Sequence, residues 1–233
     1  MRVFVILPAA GIGTRMAAAG AASPKQFLEL GGQPILIHSL KAFAGVAAVT
    51  EILVAVRPQE MKRVHQQVAA AGLNGRVRVV EGGENRQGSV ANALAALDCA
   101  DDDIVLVHDA VRPLIDGHTI ERTIVAIQKH GAAIVGVPAI DTIKQVERTA
   151  DGAIITGTIP RELIVQAQTP QGATAARLRR AFAEANADGF SGTDEASVLE
   201  RAGMEVAVVA GSPRNFKITQ PGDLELAEFY LKH

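Results

Sequence analysis

Short apolar segments alternate with helical patterns through the first 140 residues, and this alternation restricts the fold more than any other feature. Val3–Leu7 is a continuous apolar run that ends at Pro8, the pattern of a strand buried on both faces. Strands that are separated by single helices pair in parallel through right-handed crossovers. The sequence therefore predicts an α/β fold with a doubly wound, mostly parallel sheet.

The predicted strands are short apolar runs, and the predicted helices carry apolar residues three and four positions apart. The strands are expected at Val3–Leu7, Ile52–Val56, Val77–Val80, Asp103–Val107, Ala133–Val137, Val206–Val209 and Phe216–Ile218. The helices are expected at Pro34–Phe43, Pro58–Ala71, Arg86–Leu97, Thr119–Lys129, Ala175–Ala185, Asp194–Ala202 and Asp223–Leu231.

The alternation breaks near residue 140. Ile140–Glu147 and Ile154–Ala167 have the pattern of extended segments, and Thr149–Gly152 between them is a turn signal. We expect one domain over residues 1–233, with a hairpin-like dimerisation arm at about 140–166.

Composition excludes several classes of function. The chain has 23 basic and 25 acidic residues, a balance that argues against a nucleic-acid partner. Its single cysteine, Cys99, excludes an intramolecular disulfide framework and a zinc ribbon. Apolar stretches fall short of the roughly 18 residues that a membrane span requires, so we expect a cytoplasmic protein without a membrane partner.

The strongest chemical signal is the loop Pro8–Met16 directly after the first strand, followed by Pro24-Lys25. Small residues let backbone N–H groups approach a polyphosphate, and Arg15 and Lys25 add positive charge. Met16 stands where the dinucleotide-binding fingerprint has its third glycine, and a P-loop sequence is absent. The loop therefore predicts phosphate binding outside those two classes.

Two further loops follow predicted strands. Glu81–Ser89 contains paired glycines before a helix that bears a serine, and it is either a capped helix start or a nucleotide contact. Asp109, after the fourth strand, is a candidate ligand for Mg²⁺ that also bridges substrate phosphates. His108 is expected to be structural, and Asp101–Asp103 to be a solvated turn.

Polar residues in the second half of the chain lie at element ends, where each by itself is expected to serve helix capping or surface chemistry rather than a site. Thr193, for instance, is a candidate N-cap of the helix that contains Asp194 and Glu195.

Taken together, the motifs resemble the 2-C-methyl-D-erythritol 4-phosphate cytidylyltransferase family of the non-mevalonate isoprenoid pathway. The matching stretches run in order through nearly the whole chain: Pro8-Ala9-Ala10-Gly11-x-Gly13-x-Arg15-Met16, Pro24-Lys25-Gln26, Gly82-Gly83-x-x-Arg86-x-x-Ser89, His108-Asp109-Ala110-x-Arg112-Pro113, Asp141-Thr142-x-Lys144, Thr169-Pro170-Gln171, Thr193-Asp194-Glu195-Ala196 and Lys217-x-Thr219. Val111 stands where the family usually has alanine.

The resemblance implies a Rossmann-like nucleotidyltransferase fold with a protruding β-arm, and a homodimer. It also implies Mg²⁺-dependent transfer of CMP from CTP to 2-C-methyl-D-erythritol 4-phosphate. It assigns transition-state stabilisation to Arg15 and Lys25, and Mg²⁺ binding to Asp109. The residues expected to bind CTP are Pro8, Ala9, Ala10, Gly11, Gly13, Gly82, Gly83, Arg86, Ser89, Asp109 and Ala110. Those expected to position the second substrate are Thr142, Arg161, Thr169, Thr193 and Lys217.

Two alternatives stay open. One is a cytidylyltransferase for another polyol phosphate such as ribitol 5-phosphate, since such enzymes share most of these motifs. The other is a non-catalytic nucleotide-binding regulator. Arg15 and Lys25 argue against the regulator because they serve the transition state more than ground-state binding.

Overall fold

The computed structural model describes residues 1–11 and 23–233. The strands, numbered along the chain, are β1 (Val3–Pro8), β2 (Glu29–Leu30), β3 (Gln33–Pro34), β4 (Val49–Val56), β5 (Val77–Glu81), β6 (Ile104–Val107), β7 (Ala132–Pro138), β8 (Ile143–Thr149), β9 (Gly152–Ile159), β10 (Val165–Thr174) and β11 (Ala207–Ala210). The helices in the described residues are α1 (Ile35–Ala44), α2 (Met61–Ala70), α3 (Arg86–Ala96), α4 (Gly117–His130), α5 (Ala175–Ala187), α6 (Glu195–Arg201) and α7 (Pro221–Lys232).

Seven of the strands form one sheet in the order β11-β7-β10-β6-β1-β4-β5. β10 is antiparallel to β6 and β7, and the other neighbours pair in parallel. Helices cover both faces because the strands are apolar on both sides. Val5 and Leu7 of β1 pack in a core with α1, α2 and α4, whereas Phe4 and Ile6 pack in a second core with α3, α5 and α6. The prediction of a doubly wound, mostly parallel sheet is confirmed.

The expected extended segment Ile154–Ala167 is divided in the structure. β9 ends at Ile159, a 3-10 turn occupies Arg161–Leu163, and β10 then runs into the central sheet. The register of β10 against β7 shifts between Gln168 and Gln171, so the residues between them bulge from the ladder. This bulge puts Thr169 beside the end of β6.

Two local predictions are wrong. Phe216–Ile218 is not a strand, because Ile218 is buried beside Val111 and Leu30 and its N–H donates to the Val111 carbonyl at 2.9 Å. Asp103 is not in a solvated turn, because it is 2% exposed and its Oδ1 accepts from the Arg2 backbone N–H at 2.6 Å.

β8 and β9 form a separate two-stranded antiparallel sheet, and this hairpin is called the arm below. Its large apolar side chains are uncovered: Val146 is 44% exposed, Ile154 63% and Ile155 61%. Within residues 1–11 and 23–233, no helix has the length and hydropathy to cross a membrane.

Candidate active site

A pocket lies at the sheet edge where β1, β5 and β6 end, because parallel strands direct their carboxyl ends to the same side. Most of the expected nucleotide-binding residues line it, together with one expected catalytic residue and one expected substrate-positioning residue. They are Pro8, Ala9, Ala10, Gly11, Lys25, Gly83, Arg86, Ser89, Asp109, Ala110 and Lys217. Gly13 and Arg15 lie outside the described residues, so their predicted roles stay predictions.

The first loop is held by a residue whose role the sequence reasoning missed. Gln26 is 3% exposed, and its Nε2 donates to the carbonyls of Ala9 at 2.7 Å and Gly11 at 3.1 Å. The Ala9 N–H donates to the Ala55 carbonyl at 2.7 Å. These bonds fix the loop backbone, and a Cβ added at Gly11 would meet no described atom within 4 Å. Hydrogen bonds therefore fix the backbone of this loop, and among the described residues no atom covers Gly11.

The second loop is both a capped helix start and part of the pocket. Asn85 caps α3, since its Oδ1 accepts from the Gly88 N–H at 2.7 Å. Ser89 is 1% exposed; its Oγ accepts from the Gly83 N–H at 3.0 Å and donates to the Asn85 carbonyl at 2.8 Å. A Cβ on Gly83 would lie 2.6 Å from the Gly88 carbonyl carbon. Glycine is thus required here by the close approach of two backbone segments.

Gly82 has a similar constraint but does not line the pocket as the described residues define it. A Cβ on Gly82 would lie 2.8 Å from the Ala10 Cβ, so this glycine lets the two loops touch.

Asp109 is the electrostatic centre of the pocket. Its carboxylate is 9% exposed; Oδ1 accepts from Arg86 Nε at 3.2 Å, and Oδ2 from Arg112 Nε at 3.2 Å and Lys217 Nζ at 3.1 Å. Burial by itself raises the pKa of Asp109, but the charges of Arg86, Lys217 and Arg112 outweigh burial and hold that pKa well below its usual range. Asp109 is therefore ionised at neutral pH.

A buried hydrogen-bond chain orients Asp109. Its N–H donates to Thr169 Oγ1 at 3.1 Å, and that hydroxyl lies 3.0 Å from His108 Nδ1. His108 Nε2 lies 3.1 Å from the Arg112 carbonyl, which only accepts, so we place the ring proton on Nε2 and let Thr169 donate to Nδ1. Burial lowers the pKa of His108 to about 4, so the ring is neutral at pH 7. His108 thus has the structural position that the sequence predicts.

Thr169 was expected to hold the second substrate. In the structure it is 3% exposed and its hydroxyl is engaged by Asp109 and His108. Its hydroxyl is therefore part of the hydrogen-bond chain that orients Asp109, and its contact with the second substrate stays a prediction.

Arg86 links Asp109 to a second buried carboxylate. Its Nη1 and Nη2 donate to Glu195 Oε1 at 2.7 Å and Oε2 at 2.9 Å. Glu195, the first residue of α6, is 1% exposed, and burial raises its pKa while Arg86 opposes that rise. The cap of α6 is Asp194 and not Thr193, because Asp194 Oδ1 accepts from the Ser197 N–H at 3.0 Å.

The remaining expected substrate-positioning residues are exposed and do not line the pocket as far as the described residues define it. Thr142 precedes β8, and Thr193 precedes α6. Arg161 is at the base of the arm, where its Nη1 donates to the Ile140 carbonyl at 2.8 Å. One chain therefore does not bring these three residues to Asp109, and their roles stay predictions.

The donor set at Asp109 fits Mg²⁺ that is shared with a substrate. Oδ1 accepts one hydrogen bond from the described side chains and keeps a lone pair available. Mg²⁺ usually takes one or two carboxylates and completes its shell with phosphates and water. Within the described ranges, no group of three or more His, Cys, Asp or Glu side chains could hold a metal by itself.

A mostly parallel sheet with a small-residue loop and a cationic cluster at its carboxyl edge defines a nucleotidyltransferase. The 2-C-methyl-D-erythritol 4-phosphate cytidylyltransferase family matches residues 3–233. A curated relative of that name from Acidobacterium capsulatum is 68% identical, and the comparison covers 100% of this chain and 98% of the relative. Another from Solibacter usitatus is 50% identical, and the comparison covers 100% of this chain and 96% of the relative.

Solved structures agree. The 2-C-methyl-D-erythritol 4-phosphate cytidylyltransferase of Thermus thermophilus is 34% identical with a TM-score of 0.78, covering 100% of both chains. The 4-diphosphocytidyl-2C-methyl-D-erythritol synthase of Anaerococcus prevotii is 28% identical with a TM-score of 0.85, covering 100% of this chain and 96% of that one. The chain belongs to the 2-C-methyl-D-erythritol 4-phosphate cytidylyltransferase family, and it is a cytidylyltransferase enzyme.

Proposed function

We propose that this chain transfers CMP from CTP to 2-C-methyl-D-erythritol 4-phosphate in a Mg²⁺-dependent reaction. The products are 4-diphosphocytidyl-2-C-methyl-D-erythritol and pyrophosphate. The observation that carries the proposal is the pocket in which Asp109 and three cations lie beside two glycine-containing loops. The family supplies the identity of the two substrates.

The proposed transfer of CMP requires neutralisation of negative charge and does not require a general base. The second pKa of a phosphate monoester is about 6, so the nucleophilic oxygen is already largely anionic at neutral pH. The barrier lies in bringing two anions into line and in stabilising charge at the α-phosphorus. His108 is buried and neutral, which suits a site that needs no base.

The proposed roles follow this requirement. Lys25, with Arg15 from the undescribed segment, stabilises the transition state. The loop backbone at Ala10 and Gly11 receives the triphosphate, and Ala9 and Gly83 line the same pocket. Asp109 is the proposed ligand of Mg²⁺, which offsets triphosphate charge when it is bound. Lys217, 3.1 Å from Asp109, is placed to meet an incoming phosphate.

Pyrophosphate release tests the proposal. The enzyme is incubated with CTP and Mg²⁺ and with one of several polyol phosphates, including methylerythritol phosphate and ribitol 5-phosphate. Release with methylerythritol phosphate alone is the expected result, and excess EDTA should abolish it. Preference for ribitol 5-phosphate would replace the substrate, and no release with any phosphate would favour a non-catalytic regulator.

A homodimer is the second part of the proposal, and the exposed arm supports it. An isolated two-stranded hairpin is marginally stable in water. The arm nevertheless exposes Ile154 and Ile155, and Leu163 at its base is 78% exposed. We infer that a second copy of the chain covers this surface, and that Thr142 and Arg161 serve the partner's pocket.

Subunit complementation tests the shared site. An Arg161→Ala chain is mixed with an Arg15→Ala chain, and the subunits are allowed to exchange. If sites are shared, each mixed dimer has one site with both lesions and one intact site, so activity returns. If each subunit is self-sufficient, every site stays defective. Each variant exchanged with itself is the matched control.

A cytoplasmic location stays a prediction.

A further inference from the structure

Glu195 is buried beneath the pocket and is not among the described residues that line it. Its two carboxylate oxygens accept one hydrogen bond from each terminal nitrogen of Arg86, and the Arg86 Nε donates to Asp109 Oδ1 at 3.2 Å. Arg86 therefore lies between two buried carboxylates. It also lines the pocket itself, so it is within reach of a ligand.

The charge balance of this cluster suits an anionic ligand. Arg86, Arg112 and Lys217 are positive, and Asp109 and Glu195 are negative, so the five groups carry one net positive charge. Glu195 supplies half of the negative charge without contacting the pocket surface. Loss of the Glu195 carboxylate would have two effects: the net positive charge of the five groups would rise, and the terminal nitrogens of Arg86 would lose their hydrogen-bond acceptor.

The position of Arg86 in its helix favours pairing with a carboxylate such as that of Glu195. Arg86 is the first residue of α3, where the helix dipole disfavours a positive side chain. A guanidinium at this position that lacked Glu195 would turn toward any available anion. In this pocket the anions within its reach are Asp109, which it already bonds, and the bound triphosphate.

We propose that Glu195 is a positioning residue for CMP transfer. It keeps the Arg86 side chain hydrogen-bonded to Asp109 and away from the phosphates of CTP. The inference rests on the proposed function. Without Glu195, Arg86 binds the ground-state triphosphate and no longer orients Asp109. Anion binding then becomes tighter while turnover falls, because binding that is gained in the ground state does not lower the barrier.

The test compares Glu195→Gln and Glu195→Asp with the wild-type enzyme. The first removes the charge at constant shape, and the second keeps the charge but shortens its reach. We expect kcat to fall roughly 10- to 100-fold in both, as for partners of metal-binding carboxylates. The affinity for inorganic pyrophosphate, measured by calorimetry in EDTA, should rise roughly three- to tenfold for Glu195→Gln. It should stay within about twofold of wild type for Glu195→Asp, because the net charge is retained.

Ser197→Ala is the matched control for a loosened α6. It removes the bonds of Ser197 Oγ to the Asp194 N–H at 3.3 Å and the Asp194 carbonyl at 2.8 Å, without touching Arg86. Its melting temperature should fall while its kcat and pyrophosphate affinity stay at wild-type values.

A double variant tests whether Glu195 acts through Arg86. In an Arg86→Gln background, Glu195→Gln should change kcat and pyrophosphate affinity little further. Unchanged pyrophosphate affinity in Glu195→Gln, additive losses in the double variant, or a near-normal kcat would each overturn the inference. If the wild-type enzyme released no pyrophosphate, the proposed function would fail, whereas the calorimetric comparison would still report on Arg86.

Discussion

Replacing Arg86 with methionine should leave Glu195 as a buried carboxylate without its partner. Methionine keeps much of the aliphatic bulk of Arg86 but none of its charge. Glu195 is 1% exposed, and among the described residues Arg86 is the cation that binds it. The variant must then either bury an unpaired charge or protonate Glu195.

The cost of this change should depend on pH with a definite sign. Burial already raises the pKa of Glu195 while Arg86 is present, and removal of Arg86 raises it further. When the pKa of a carboxyl group is higher in the folded than in the unfolded protein, the protein loses stability as the pH rises above the unfolded pKa of about 4.3. The loss is about 1.4 kcal/mol per pH unit until the folded pKa is reached. The ionisation cost is therefore about 1 kcal/mol at pH 5. It reaches about 3 to 5 kcal/mol at pH 8, the range for a broken buried ion pair.

Urea unfolding of the wild type and the variant at pH 5 and pH 8 measures both numbers. The difference in unfolding free energy between the two proteins should be larger at pH 8 by at most about 2 to 4 kcal/mol, because the pKa of Glu195 is already raised in the wild type and only its further rise in the variant counts. Arg86→Met combined with Glu195→Gln should lose most of that pH dependence, since Glu195 no longer titrates and Asp109 keeps Arg112 and Lys217 as partners. An equal loss at both pH values would refute the reasoning, as would a double variant that is as pH-sensitive as the single one.

Three other changes have separable outcomes. Lys25→Ala should lower kcat by about 10²- to 10³-fold in the pyrophosphate-release assay, because it removes a charge that we propose stabilises the transition state. Gly83→Ala should lower the melting temperature and raise KM for CTP, since its Cβ would lie 2.6 Å from the Gly88 backbone. Asp103→Asn should destabilise the protein at pH 7, and urea unfolding at decreasing pH should show this effect shrinking. The Arg2 N–H holds the pKa of Asp103 below its unfolded value of about 3.9, so the stabilisation is lost as the pH falls through the folded pKa.

Local patterns predicted most of the sheet, and they missed elements that depend on distant contacts. Val3–Pro8 is apolar throughout, so its burial is visible in the sequence. β10 was not predicted in the sheet, because its first residues were assigned to an extended segment of the arm. A proline is unusual in a central strand, and Pro170 lies where the ladder against β7 bulges. The small β2–β3 hairpin had an available signal, since Gly31 and Gly32 adopt φ of 57° and 79° in its turn.

The same distinction applies to the candidate site. Asp109 and the two glycine-containing loops were predicted because each directly follows a parallel strand, and such positions converge. Glu195 was missed as a partner of Arg86 because 109 residues separate them and the contact exists only after α6 docks. Gln26 was noted in a motif, but its bonds to the first loop require the tertiary fold.

The central claim is that the phosphate of methylerythritol phosphate attacks the α-phosphorus of CTP in the pocket centred on Asp109. ³¹P NMR of the complete reaction tests it most directly. With wild-type enzyme and Mg²⁺, we expect the monoester resonance to disappear while two coupled diphosphate resonances and one resonance of inorganic pyrophosphate grow. The pyrophosphate resonance should be twice as intense as either of the others, because it contains two equivalent phosphorus atoms. CTP that persists unchanged, or that yields CMP while the monoester remains, would contradict the account.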